Sequence, residues 1–473
     1  MRDIVRLAGK KSFLFYAVCV VAWSVGGCSA TSQQTSDPWQ QVDAILQRIQ
    51  PPTFPERDFD VTQFGAKGDG LADCSVAFRK AIDECSRAGG GRVVVPKGEF
   101  LTGPIHLKSN VNLHLAEGAV IKFHRDPKRY LPLVFSRWEG VECMNYSPLI
   151  YAFEQEKIAV TGKGVLDGQA SNEYWWPWKG KKEYGWKEGM PEQTKGRNLL
   201  FEMGEKGVPV EDRRLGEGYY LRPSFIQPYK SKDILIEGIK IINSPMWEIH
   251  PVLCENVTIR NVHIETHGPN NDGCNPESSR DVLIEDSYFD TGDDCIAIKA
   301  GRNNDGRRVA TPSENIVIRR CIFKDGHGGV TVGSEMSGGV RNVFAEDCEF
   351  ESPVLYSALR IKTNAVRGGI VEDIHLRNMN VRLVDRAVVD IDLFYEEGRN
   401  GNFPPTIRNI SIDRMTVETC KTALNLVGYE EAPLQNIRLV NCEFKEVTQG
   451  YKIEHVTGFE AVNTTINGKE LKP

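Results

Sequence analysis

From Lys232 onward the chain repeats a ten-residue pattern of apolar and polar positions, in units that begin at Lys232, Glu255, Arg280, Glu314, Arg341, Glu372, Arg408 and Gln435. The third and fifth residues of each unit are apolar, as in Ile234 and Ile236, Val257 and Ile259, or Ile316 and Ile318. The eighth and tenth are apolar or small, as in Ile239 and Ile241, Cys321 and Phe323, or Cys442 and Phe444. Alternation with a period of two marks a strand with one buried face. Two such strands divided by a corner, recurring every 23 to 36 residues, predict a parallel β-helix whose coils rest on one another. A third, shorter apolar run closes each coil.

Upstream the pattern is less regular. Trp39, Val42, Ile45, Leu46 and Ile49 recur at helical spacing and stop at Pro51-Pro52, which predicts a short amphipathic helix. A turn-rich stretch from Asp60 to Gly70 leads to a second helix, capped by Asp73 and ended by Gly89-Gly90-Gly91, with Phe78, Ala81, Ile82 and Cys85 on its apolar face. This helix is expected to plug one end of the solenoid, because terminal coils need covering. Short strands follow at Arg92 to Val95, Val111 to Leu115, Ala119 to Phe123 and Ile158 to Val165. Residues 171 to 222 break the pattern and carry Tyr174, Trp175, Trp176, Trp178 and Trp186 without periodicity. Either these rings form one wall of a binding groove, or they only pin the loop to the scaffold.

A length of 473 residues would ordinarily allow up to about three domains, but solenoids grow in one dimension. The net charge of −6 gives no basic footprint for nucleic acid. Arg2, Arg6, Lys10 and Lys11 precede an apolar run from Phe13 to Ser24, then Val25-Gly26-Gly27-Cys28. This resembles a bacterial lipoprotein signal that ends in a lipidated Cys28, and implies export to the cell envelope, facing the periplasm or the surface. The expected organisation is a signal over 1–28, a tether and short helix over 29–57, and one β-helical domain over 58–473. The chain has 12 cysteines. Those at repeat positions, such as Cys321, Cys348 and Cys442, fall in inward slots otherwise held by Ile, Val or Met, so mostly free thiols are expected, with a Cys321–Cys348 bridge still possible geometrically. No Cys-x-x-Cys pair offers a metal site.

The chemistry concentrates between Asn270 and Lys362, in the clusters Asn270-Asn271-Asp272-Gly273, Gly292-Asp293-Asp294, Gly326-His327-Gly328 and Arg360-Ile361-Lys362. Aligning the apolar runs that start at Cys274, Cys295, Gly329 and Ala358 puts Asp272, Asp293 and His327 two residues ahead of their runs. Equivalent positions of successive coils lie about 4.8 Å apart, so these groups are expected to form one stripe. Three neighbouring carboxyls cannot all ionise freely, so one should keep its proton, as a general acid must. Asp293 and Asp294 can face the same groove only if Gly292 bends the corner. Arg360 and Lys362 point outward while Ile361 points in, and two cations beside an acidic centre suit a carboxylated sugar.

In this order and spacing the four clusters resemble the polygalacturonases of glycoside hydrolase family 28, over nearly the whole chain from about Asp60. Asn270-Asn271-Asp272 departs from that family's Asn-Thr-Asp only at the middle residue, and the other three motifs match residue for residue. The resemblance implies a right-handed, pectin-lyase-like parallel β-helix and an inverting hydrolase of α-1,4-galacturonan that uses no cofactor or metal. It implies Asp293 as general acid, Asp272 and Asp294 as activators of water, and His327 as support for Asp293. Arg360, Lys362 and Asn270 would bind substrate, with Tyr395 a candidate for a groove tyrosine. The implied partner is pectin or an oligogalacturonide, and the insertion and lipid anchor point to exo action. The alternatives are a calcium-dependent pectate lyase, a non-catalytic β-helical adhesin or carbohydrate-binding scaffold, and, within the family, a rhamnogalacturonan or xylogalacturonan hydrolase.

Overall fold

Every ten-residue unit lies in register on the next. In the computed structural model, which describes residues 37–352 and 354–472, Lys232 pairs with Glu255, then Arg280, Glu314, Arg341, Glu372, Arg408 and Gln435, all in parallel. The chain is a parallel β-helix. Its first repeat position alternates in sign, and Arg280–Glu255 at 2.7 Å, Arg341–Glu314 at 2.6 Å and Arg408–Glu372 at 2.5 Å join adjacent coils. Such exposed pairs add little stability. They favour this register over a slipped one, in which like charges would meet.

The corner between the two strands falls at the seventh repeat position, where Asn261, Asp286, Asp347, Asn378 and Asn441 have φ between 51° and 55°, and the second position bends the entry to the first strand in the same way. Asp233, Asn256, Asp281, Asn315, Asn342, Asp373, Asn409 and Asn436 all adopt φ between 53° and 59°. Asn and Asp tolerate this left-handed conformation better than other side chains. Their side chains also form a ladder, with Asn342 Nδ2 donating to Asn315 Oδ1 at 3.1 Å and Asn256 Nδ2 to Asp233 Oδ1 at 2.6 Å.

Inside, the third and fifth positions stack into continuous rows, from Ile234 through Val257, Val282 and Ile316 to Ile437, all buried. Ten cysteines among the described residues are buried and free, including Cys321, Cys348 and Cys442. The helix Ser75–Arg87 buries Ala77, Phe78, Ala81, Ile82 and Cys85 against the first coils and caps the solenoid, as expected. Asp73 Oδ1 accepts from the Ser75 amide at 2.9 Å, and the Gly90 amide returns to the Cys85 carbonyl at 2.9 Å.

The short amphipathic helix expected before Pro51 forms at Val42–Arg48: Val42, Ile45 and Ile49 pack on Leu283, Val317 and Phe344 on the outside of the solenoid, and Arg48 pairs with Asp281 at 2.8 Å. Two expectations need correction. The strand expected over Ile158 to Val165 is two strands, Glu156–Gly162 and Val165–Asp167, divided at Gly162 (φ 113°). The insertion at 171–222 contains a helix, Thr194–Glu205, that hydropathy alone did not reveal. The proposed signal, Cys28 and the tether as far as residue 36 lie outside the described residues.

Candidate active site

The short third strands set the geometry. Cys274 pairs with Ile296, which pairs with Val330, then Leu359 and Val389. This register differs by one residue from the alignment of the apolar runs. Counting back from it, Asp272 stands beside Asp294, whereas Asp293 stands between Asn271 and His327. The backbone agrees: the Gly273 amide donates to the Asp294 carbonyl at 3.0 Å and the His327 amide to the Asp293 carbonyl at 2.9 Å. The single stripe expected from the sequence is therefore two adjacent rows, and a slip of one residue is enough to separate them.

Both aspartates of the pair still reach one cavity of about 390 Å³, together with Asp272, His327, Asn270, Arg360, Lys362 and Tyr395. The bend at Gly292 makes this possible. A side chain there would meet the Gly268 carbonyl at 2.5 Å, so only glycine lets the corner fold against the preceding coil.

Each carboxylate has its own surroundings. Asp294, fully buried, lies 2.5 Å from Lys362 Nζ and 3.7 Å from Arg360, and accepts from Thr331 Oγ1 at 3.2 Å. Asp272, also buried, accepts from Asn275 Nδ2 at 2.7 Å and lies 3.6 Å from Lys299 Nζ. Burial, and then repulsion from Asp293 and Asp294, raise the Asp272 carboxyl to about 8 against the pull of Lys299 and Lys362. Asp293 lies 2.9 Å from His327 Nδ1. Burial opposes ionisation there, but the hydrogen bond and charge of His327, with Lys362 and Lys299, hold Asp293 below the usual range. Burial also works against the His327 cation, which Asp293 and Asp294 nevertheless raise. These surroundings favour the protonated form of Asp272 and the ionised form of Asp293 beside His327. The resemblance had placed the acid on Asp293.

Arg360 and Lys362 project outward on either side of the buried Ile361, as alternation required, yet they are not a solvated face. The Tyr395 ring lies 5.6 Å from Lys362 Nζ and 5.8 Å from Arg360, so this tyrosine does join the site. His327 stacks on Tyr356 at 4.5 Å, and Arg386 covers the other ring at 3.6 Å. Asn270 (φ 56°) presents Oδ1 to two cations, Lys179 Nζ and Arg222, each at 2.8 Å. Asn271 explains its departure from the motif. Its amide accepts from Thr266 and Gly268 and donates to the Ser244 and Met246 carbonyls, all between 2.6 and 3.1 Å. It ties adjacent coils together and does not touch the cavity.

Several residues lining the cavity or buried behind it escaped the sequence reading. Lys299 lies in the row of Lys362, one residue past the Ile298–Val332–Ile361 rungs, and aligning Ala297-Ile298-Lys299 on Arg360-Ile361-Lys362 finds it. It reaches Glu335 at 3.1 Å and sits 4.5 Å over the Trp247 ring. Glu248, fully buried beside Trp247, has no hydrogen bond to its carboxyl among the described residues, and burial followed by Asp272 and Asp293 raises it well above the ordinary value. The aromatics of the insertion pin rather than line. Trp175 packs edge-on to Tyr130 and Trp178, Trp178 meets Tyr220, and Trp176 Nε1 donates to the Ser244 carbonyl at 2.8 Å. What the insertion brings to the cavity is charge: Lys179 and Arg197, the latter paired with Glu139 at 2.8 Å.

Coiled parallel strands that gather three carboxyls, a histidine and two cations on one outer groove define a carbohydrate-active β-helix, of the kind that works on acidic sugars. Residues 217–465 match the model of the glycosyl hydrolases family 28, and residues 59–118 match that of rhamnogalacturonase A/epimerase, pectate lyase-like. A probable polygalacturonase of Vitis vinifera is 30% identical over 408 residues, covering 83% of this chain and 75% of that protein. An exo-poly-alpha-D-galacturonosidase of Dickeya chrysanthemi is 28% identical over 370 residues, covering 73% and 58%. The crystal structure of a hyperthermoactive exopolygalacturonase from Thermotoga maritima superposes with a TM-score of 0.89 at 46% identity, covering 92% of this chain and 97% of that one. The chain belongs to glycosyl hydrolase family 28.

Proposed function

We propose that the protein hydrolyses α-1,4-galacturonosidic bonds of polygalacturonate or pectin fragments from a chain end, with inversion. The observation that carries this reading is the cavity in which Asp272, Asp293 and Asp294 meet Arg360 and Lys362. The similarity to exo-acting relatives supports action at a chain end. Arg360 and Lys362 take the galacturonate carboxylate, Asp293 protonates the departing glycosidic oxygen, and Asp272 and Asp294 accept a proton from the attacking water. The surroundings of the free site favour a proton on Asp272 over one on Asp293, so bound substrate must shift that balance. A carboxylate bound at Lys362 neutralises one of the cations that keep Asp293 ionised, and so raises the affinity of Asp293 for a proton. Chromatography of early products from polygalacturonate tests the reading. A single small product released from the outset supports it, and an immediate ladder of sizes rejects exo action.

The basic and apolar residues ahead of Cys28 support export and a lipid anchor at that cysteine. Labelling with a radioactive fatty acid, lost in Cys28→Ala, is the expected result; equal labelling of the variant rejects the anchor.

A further inference from the structure

The cavity is lined by cations on both flanks of the acids, and those flanks are used differently. Cys274, Ile296, Val330 and Leu359 are successive rungs, so Asn270 and Arg360 lie on coils about three strand spacings apart, on the order of 14 Å. Asp293 and Asp294 lie between them. A chain laid along the solenoid axis across those acids places one sugar toward Arg360 and Lys362 and the other toward Asn270.

On the Asn270 flank most cations are already paired. Arg197 is held by Glu139, and Lys299 and Arg302 by Glu335, at 2.8 to 3.1 Å. Lys179 is different. It lines the cavity, is half-buried, and its hydrogen bond among the described residues is to the neutral amide of Asn270. It is not needed to fix that amide, because the fully buried Arg222 donates to the same oxygen at 2.8 Å. Its position is stiff: the short helix Trp176–Lys179 is clamped by Trp175, Trp176 and Trp178. Glu139 and Asp293 attract its charge, but among the described residues neither bonds to it, and a cation that is partly desolvated, rigidly placed and without a directly bonded carboxylate is a ready receptor for an anionic group.

We infer that Lys179 is a second carboxylate-recognising residue, which reads the uronate on the opposite side of the scissile bond from Arg360 and Lys362. The enzyme would then require a free carboxylate on both sugars flanking the bond. This rests on the proposed galacturonosidase activity and adds a specificity determinant supplied by the insertion.

The test uses digalacturonate and its two monomethyl esters, with the native enzyme and Lys179→Met. The native enzyme is expected to cleave each monoester roughly ten- to hundredfold less efficiently than the diacid, the loss of one charge-assisted contact. Lys179→Met should lose its discrimination against one monoester, bringing that ratio within about threefold of unity, and keep it against the other. If the variant keeps both preferences or loses both, or if the native enzyme does not discriminate, the assignment is overturned. If the native enzyme cleaves neither digalacturonate nor longer oligomers, the hydrolase reading itself fails. The native enzyme's comparison of the two esters stands whether or not the variant folds.

Discussion

Asp272 and Asp294 occupy the same position of adjacent coils, yet Lys362 Nζ lies 2.5 Å from Asp294 while the nearest ammonium to Asp272, that of Lys299, is 3.6 Å away. The solenoid sets their spacing, and the side chains of the next coils set their chemistry. Each of Asp272→Asn, Asp293→Asn and Asp294→Asn should therefore lower kcat by roughly 10²- to 10⁴-fold. Rates on oligogalacturonides, with far-ultraviolet circular dichroism as a control for folding, check this.

The raised Asp272 carboxyl has a consequence for stability. Its folded value, about 8, lies above its unfolded one, so its contribution is fully present below pH 4 and is lost as pH rises toward 8. Asp272→Asn removes that loss. The variant should gain melting temperature relative to the native protein as pH rises from 4 to 8, and calorimetry at the two pH values measures it.

Lys362→Met strands a buried carboxylate. Removing one partner of a buried pair costs about 3–5 kcal/mol, so the variant should be markedly destabilised. The double variant Lys362→Met with Asp294→Asn should recover most of that stability but no activity, which denaturant melts and rate assays separate.

His327 is held to Asp293 by a bond that weakens when the ring loses its proton. His327→Gln keeps a donor but no charge, and should lower kcat by about 10²-fold while displacing the basic limb of the pH–rate profile. An unchanged basic limb would show that His327 does not titrate in the rate.

Trp175 is buried against Tyr130 and Trp178. Truncation to alanine costs about 3–5 kcal/mol at such a site. Hydrogen exchange should show the loosening confined to residues 171–222 and not spread along the repeat.

The repeat was legible because alternation with a period of two is written eight times, and the structure pairs those units residue for residue from Lys232 to Gln435. The corner was not, since hydropathy does not see that Asn261 or Asp286 sits at positive φ. Within the site, the identities of Asp272, Asp293, Asp294, His327, Arg360 and Lys362 were readable from the motifs, but their rows were not. The run before Ile296 includes Cys295, which is apolar and buried but not the rung opposite Cys274, and that single residue shifts the apparent stripe. Lys179, Arg197 and Glu139 carry no periodic signal because they come from an insertion and a hairpin outside the coils.

The most direct test of the central claim, hydrolysis by water activated among these carboxyls, is the configuration of the first product. Proton nuclear magnetic resonance in the opening minutes of digestion should show the β-anomer of galacturonate before mutarotation. An α-anomer released first, or an unsaturated product that absorbs in the ultraviolet, would contradict the account.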